Sequence, residues 1–266
     1  MTRDLVRMGW HDALFVHWPV DAGTLADRLP DGVEPRTHDD SAWLGIVAFV
    51  MQSIRPRGVP RFAGLTFGEA NLRTYVAGAD GGEGIYFFNL DAADPLGVWV
   101  ARTLYRLPYY RATMRIDRSP PREDATTLGR PPRSVEFVSN RIHPGAPDAH
   151  LDVGYGPLEE PWIAEPGSLE AFLVENYRFY LGSEDLGRRE NSLDDSPGHE
   201  EGPDETRERI YAGDVVHEPW PLYRADLDLR STNFLAVNGF ETPDVDPIAH
   251  YSPGVEVTAG PIRRID

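Results

Sequence analysis

The chain has 266 residues, with 43 Asp and Glu against 26 basic residues and a formal net charge of −17. Every one of the 26 basic residues is Arg, and the chain contains neither Lys nor Cys. These absences exclude thiol nucleophiles, disulfides and zinc–thiolate or iron–sulfur sites. They equally exclude lysine Schiff bases, Walker lysines and pyridoxal-phosphate anchors.

The N-terminal stretch MTRDLVRMGWHDALFVHW is broken by charges and holds no apolar run of signal-peptide length. No run of about 18 apolar residues occurs anywhere, so no membrane span is predicted. The expectation is a soluble, cytoplasmic protein. Its acidity argues against nucleic acid and anionic membranes as partners, because phosphates require a basic footprint. The acid excess fits a salt-rich cytoplasm, where carboxylates hold surface water and screening relieves their repulsion. Unfolding on dilution from molar to low salt is the expected signature of that reading. A GC-rich codon bias would explain the missing Lys but not the excess of acids.

The 25 Gly and 24 Pro favour a turn-rich, β-rich chain. Residues 41–51 (SAWLGIVAFVM) are apolar on both alternating sets, which predicts a central strand covered on both faces. Residues 65–77 (LTFGEANLRTYVA) alternate: Phe67, Glu69, Asn71, Arg73 and Tyr75 share one face, and Gly68, Ala70, Leu72, Thr74 and Val76 the other. A Gly-rich connection at 78–82 leads to GIYFFNLDA at 84–92, which predicts a hairpin. Residues 95–106 read as a helix opened by Pro95 and ended by Pro108. Strands are predicted at 109–117, 125–129, 133–142 and 149–155. A second helix is predicted after the N-cap Ser168, with Leu169, Phe172, Leu173, Tyr177 and Tyr180 on one face. Residues 183–208 hold ten acids and three arginines without apolar periodicity, and read as a solvated, flexible insertion. Strands return at 209–217, 220–231 and 253–262. The fold class expected is α+β, one domain over 1–266, with a curved or closed antiparallel sheet and two main helices.

The 67–75 strand carries the chemistry. A carboxylate, an amide and a guanidinium sit between two aromatics, which suits a barrel wall facing a cavity; an ordinary polar ladder is the alternative. Glu69 and Arg73 lie about 13 Å apart at Cα, so each needs another partner. Asn89 and Asp91 on the next strand are candidates for Arg73. In the cavity reading Arg73 binds a carboxylate through its fork, and Glu69, if desolvated, has a raised pKa and shuttles a proton. His17 and His217 sit beside Trp–Pro turns, where each ring either bridges backbone groups or lines the pocket mouth. Their spacing predicts no metal site. No G-x-S-x-G, G-x-G-x-x-G or P-loop motif is present, and no cofactor is expected.

Several strings together resemble the YqjF-like family, whose function is uncharacterised. They are HWPV at 17–20, AWLGIVAFVM, F-x-E-x-N-x-R-T-Y-V at 67–76, FFNLDA at 87–92, LPYYRATM at 107–114 and HEPWPL at 217–222. The resemblance runs from about Trp10 to about residue 260. It implies an acetoacetate decarboxylase-like fold, a β-barrel enclosing a funnel-shaped cavity. In the decarboxylase a Gly-aromatic-Pro-Lys-Lys string supplies the Schiff-base lysine; here the comparable residues 106–110 read Arg-Leu-Pro-Tyr-Tyr, which puts Tyr109 at that position. A phenol cannot form an iminium electron sink, so the resemblance does not extend to that reaction. Tyr109 either donates a hydrogen bond to a bound oxygen or fills the space.

The resulting expectation is a barrel that binds a small anionic or carbonyl-bearing molecule. Glu69 and Arg73 are its expected catalytic pair, and Asn71, Tyr75, Asn89, Asp91, Tyr109, His17 and His217 its ligand-binding residues. If it is an enzyme, proton transfer next to a carbonyl or a hydrolytic step is expected. The alternative is a non-catalytic ligand sensor or a protein-interaction barrel.

Overall fold

The computed structural model describes residues 4–93, 109–120, 134–182 and 209–265. The helix predicted at 95–106, the strand at 125–129 and the acidic insertion at 183–208 lie outside the described residues. The described strands are β1 (Val6–Val20), β2 (Val33–Pro35), β3 (Ala42–Pro56), β4 (Leu65–Gly78), β5 (Glu83–Ala92), β6 (Tyr109–Arg118) and β7 (Val135–Arg141). They continue with β8 (His150–Ile163), β9 (Arg178–Gly182), β10 (Ile210–His217), β11 (Pro221–Thr232), β12 (Ile248–Ala259) and β13 (Arg263–Arg264). The described α-helices are short: α1 (Ala22–Ala26), α2 (Leu169–Val174) and α3 (Phe234–Val237). The described residues are therefore mostly β, so the expectation of an α+β chain with two main helices is met only roughly.

All thirteen strands belong to one sheet in the order β13-β10-β9-β5-β6-β7-β8-β11-β12-β1-β3-β4-β2. Two further pairings, β4 with β5 and β10 with β12, close it on itself. The closures make a larger ring (β5-β6-β7-β8-β11-β12-β1-β3-β4) and a smaller one (β10-β9-β5-β4-β3-β1-β12) that share a wall. Pairing is antiparallel throughout, except that β5 runs parallel to both β6 and β9.

The shared wall explains the sequence pattern of β3. Val47, Phe49 and Met51 enter the core of the smaller ring, while Leu44, Ile46 and Ala48 enter the core of the larger one. A strand between two cores must be apolar on both faces. On β11, by contrast, Ala225, Leu227 and Leu229 pack inward while Arg224, Asp226, Asp228 and Arg230 face solvent. Closure removes most of the free edges that so long a sheet would otherwise expose.

Two bulges decide which side chains face which ring. In β1 the register against β3 skips between His11 and Leu14, and Asp12 adopts φ 50. Before the bulge the even residues Val6 and Met8 join the smaller ring's core; after it the odd residues Ala13 and Phe15 do. Asp12 is held in this conformation from the larger ring. Its carboxylate accepts from Tyr251 Oη at 3.0 Å and Arg118 Nε at 2.5 Å, and its carbonyl from Tyr155 Oη at 2.7 Å. The second bulge lies between β4 and β5, where Leu72 pairs Asn89 but Arg73 pairs Phe87.

The predicted helix after Ser168 forms for six residues only. Ser168 Oγ accepts from Ala171 N at 3.1 Å, as an N-cap does. Glu175 then leaves helical geometry at ψ 70, and its Oε1 accepts from Trp220 N at 2.9 Å. The chain continues as β9, where Phe179 and Leu181 enter the smaller ring's core and Tyr180 a separate cluster. Pairing with β10 and β5 outweighs the weak local helical preference of Asn176, Tyr177 and Phe179. Among the described residues no helix is long and apolar enough to cross a membrane.

Candidate functional site

A cavity of about 100 Å³ occupies the smaller ring. Its walls are largely aromatic, from Trp10, Phe15, Phe49, Phe87, Phe179 and Trp220. Seven polar side chains interrupt them: Glu69, Asn71, Arg73, Tyr109, Asn176, Arg178 and His217, of which Arg178 is already paired with Asp80 and Asp214. Apolar walls with a few placed polar groups are the usual composition of a small-molecule site.

β4 brings three of these groups to one face, because residues two apart on a strand point the same way. Glu69 is buried, and its Oε2 accepts from Tyr109 Oη at 2.7 Å. Its Oε1 is 3.4 Å from Asn71 Nδ2. Burial raises the Glu69 pKa to about 7, against the opposing pull of the Tyr109 and Asn71 hydrogen bonds and the Arg73 charge. A carboxyl titrating there can give or take a proton at neutral pH.

Arg73 is anchored from behind. Its Nη2 donates to the Leu173 carbonyl at 3.2 Å, in the last turn of α2, where helical carbonyls lack partners within the helix. Its guanidinium carbon lies 5.6 Å from the centre of the Phe15 ring and 5.8 Å from that of Tyr75. The same Leu173 carbonyl accepts from Tyr75 Oη at 2.6 Å, and Tyr75 Oη lies 2.6 Å from His17 Nε2. The phenol spends its proton on the carbonyl, so His17 donates from Nε2. Burial, reinforced by Arg73 and His250, holds His17 neutral, well below the usual imidazole range. Gly45 makes this contact possible: a Cβ there would lie 2.6 Å from His17 Cδ2. His17 and Tyr75 are thus behind the cavity wall rather than on it, and they fix Arg73.

His217 does line the cavity. Its Nδ1 lies 2.8 Å from the Glu218 carbonyl, and its ring stacks on Tyr177 at 4.6 Å between centres. Burial lowers its pKa, so the neutral ring carries its proton on Nδ1. Tyr109 is positioned by the parallel pairing of β6 with β5, where it stands opposite Leu90.

Asn89 and Asp91 are not partners of Arg73. The β4–β5 register sets them beside Leu72 and Ala70, on the face toward the larger ring. There Asn89 Oδ1 accepts from Asn238 Nδ2 at 2.7 Å. Asp91 forms a buried two-point ion pair with Arg141, at 2.8 Å from Nε and 3.2 Å from Nη2. Trp10, Phe15 and Trp220 line the cavity without having been singled out from the sequence. Trp220 stands inside the HEPWPL string, which was a usable signal; the parity of Trp10 depends on the Asp12 bulge, which gave none. Among the described residues no three His, Asp or Glu side chains are placed to hold a metal ion.

The chain is similar to the uncharacterized protein YqjF of Bacillus subtilis (strain 168), at 32% identity over 261 residues, covering 98% of this chain and 92% of that protein. In structure it is similar to an acetoacetate decarboxylase-like enzyme from Sphingomonas wittichii RW1, with TM-score 0.59 and 15% identity over 99% of this chain and 94% of that one. The enduracididine biosynthesis enzyme MppR complexed with pyruvate is similar as well, with TM-score 0.62 and 13% identity over 100% and 91% of the two chains. Likeness at such identities establishes an acetoacetate decarboxylase-like fold and leaves the activity to the site. The sequence pattern of DUF2071, an uncharacterized conserved protein family, matches residues 7–194 and 198–256, and the chain belongs to this family.

Proposed function

We propose that the smaller ring binds a small organic molecule with an anionic or carbonyl oxygen and transfers a proton on it. The observation that carries this reading is the buried Glu69, titrating near 7 and hydrogen-bonded to Tyr109, in one cavity with Arg73. Arg73 holds the oxygen, already oriented by Leu173. Glu69 accepts a proton as carboxylate or returns it as acid, with the Tyr109 phenol stabilising the ionised form. No step passes through an iminium, because the chain has no lysine. Pyruvate bound to MppR, on a similar fold, supports a small oxo acid as the kind of ligand this scaffold accepts. A non-catalytic sensor would use the same apolar walls but has no need of a carboxyl kept half-protonated beside a phenol.

A metabolite thermal-shift screen in molar salt tests the reading. Saturation at a hundredfold excess over Kd stabilises by about 2.7 kcal/mol. The expected result is that a small carboxylate or oxo acid raises the unfolding temperature of the wild type and not of Arg73→Met. An equal rise in the variant would remove Arg73 from the site.

A further inference from the structure

Ten buried side-chain atoms have no hydrogen-bond partner among the described residues, and four belong to side chains lining this one cavity. They are Arg73 Nε, Asn71 Oδ1, Trp10 Nε1 and His217 Nε2. Their chemical roles are fixed. Arg73 Nε and Trp10 Nε1 only donate. The Glu218 carbonyl can only accept, so His217 keeps its proton on Nδ1 and presents a lone pair at Nε2. Asn71 faces the Glu69 carboxyl with its amide nitrogen, so its oxygen is the free acceptor.

Their placement is uneven. Arg73 lies against one side of Phe15, and Phe15 meets Trp220 edge-on at 5.1 Å. Beyond Trp220 stand His217, at 5.4 Å, and Trp10, stacked at 6.0 Å. The Trp10 and His217 rings are 5.9 Å apart. One end of the cavity therefore holds Arg73, and the other sets the Trp10 ring, with an unmet donor, beside the His217 ring, with an unmet acceptor; Arg178, also on the wall, is taken up by Asp80 and Asp214. A carboxylate or a ketone only accepts, so either would leave the His217 lone pair unmet. A hydroxyl both accepts and donates, and answers both atoms at once.

Building on the binding site proposed above, we infer that the ligand is a short hydroxycarboxylate, with its carboxylate on Arg73 and its hydroxyl between Trp10 Nε1 and His217 Nε2. Asn71 Oδ1 stands on the same wall for a second hydroxyl. The small cavity volume limits the chain between the two groups.

Calorimetric titration with matched pairs tests this. Glycolate, β-hydroxypropionate and γ-hydroxybutyrate are each compared with the alkanoate in which methyl replaces hydroxyl: propionate, butyrate and pentanoate. At least one hydroxy acid is expected to bind about tenfold more tightly than its partner, the discrimination a site gains from meeting its polar groups. Trp10→Phe keeps the ring but loses the donor, and should reduce that preference to about twofold or less without weakening the alkanoate. Equal affinities within every pair, or a preference that survives Trp10→Phe, overturn the inference. If acids bind, lose affinity in Arg73→Met and show no hydroxyl preference, this inference falls and the cavity reading stands. If no probe binds, this inference falls, and the cavity reading is decided separately by the oxo acids of the thermal-shift screen.

Discussion

Glu69→Gln is expected to raise the unfolding temperature by roughly 6 °C at about pH 8, and to leave it unchanged near pH 4. In the unfolded chain this carboxyl titrates at 4.5; in the fold, burial moves it to about 7. Between those values the native state holds a proton that the unfolded state has released. Each step up in pH therefore costs native stability, and the loss is complete once pH exceeds the folded value. Over the window the loss amounts to about 3 kcal/mol. Gln cannot ionise, and its amide oxygen still accepts from Tyr109. The variant escapes the penalty, so the two stability curves diverge as pH rises through the window and run parallel above it. Every other titrating group is common to both proteins and cancels in the difference. Thermal melts of both proteins at intervals across the range check this. A constant offset at every pH would mean that Glu69 does not titrate where proton transfer requires. Ligand affinity in Glu69→Gln should likewise lose any dependence on pH around 7.

That a barrel wall with Glu69, Asn71 and Arg73 on one face could be read from the sequence has a simple cause. β4 is unbroken along this stretch, so a period of two suffices to place its side chains, and the opposite face carries only residues small enough to pack. The doubly apolar run in β3 was legible for the same reason, as a wall with a core on each side. What could not be read were the places where the period slips. A bulge costs little in composition: one residue at Asp12 transfers Phe15 and His17 onto the face that Trp10 already shares. The bulge opposite Leu72 and Arg73 turns Asn89 and Asp91 away from the cavity, although simple alternation leaves them available to Arg73. Helical spacing likewise misled at Tyr177 and Tyr180. Arg178–Gly182 also alternates, and only the long-range partners β5 and β10 decide between the two periods. The His17–Tyr75–Leu173 anchor was invisible because it joins three elements far apart in sequence.

Arg141→Met is expected to destabilise the fold by about 3–5 kcal/mol, because it leaves the Asp91 carboxylate buried and unpaired. The Asp91 and Arg141 side chains are 0% and 3% exposed, so water cannot replace the lost partner. Replacing both, as Asp91→Leu with Arg141→Met, should recover most of that loss, since two apolar groups avoid the desolvation that makes a lone charge so costly. The pair has a second consequence through its position. Asp91 stands on β5 and Arg141 on β7, so the ion pair bridges the intervening β6, with the guanidinium 4.0 Å from the centre of the Tyr110 ring. The β5–β6 pairing that it clamps is only three residues long, and it contains Tyr109. Tyr110 points toward the ion pair, and its neighbour Tyr109 points into the cavity at Glu69. Loosening the clamp therefore weakens the Tyr109–Glu69 hydrogen bond, which holds the Glu69 pKa down. In the Arg141→Met background, the pH at which Glu69→Gln begins to diverge should stay the same, because the unfolded chain sets it, while the pH at which divergence ends should move upward. Denaturant melts of the four proteins across pH measure both effects at once. A full stability loss with an unmoved upper limit would show that the ion pair supports the larger ring alone and leaves the cavity untouched.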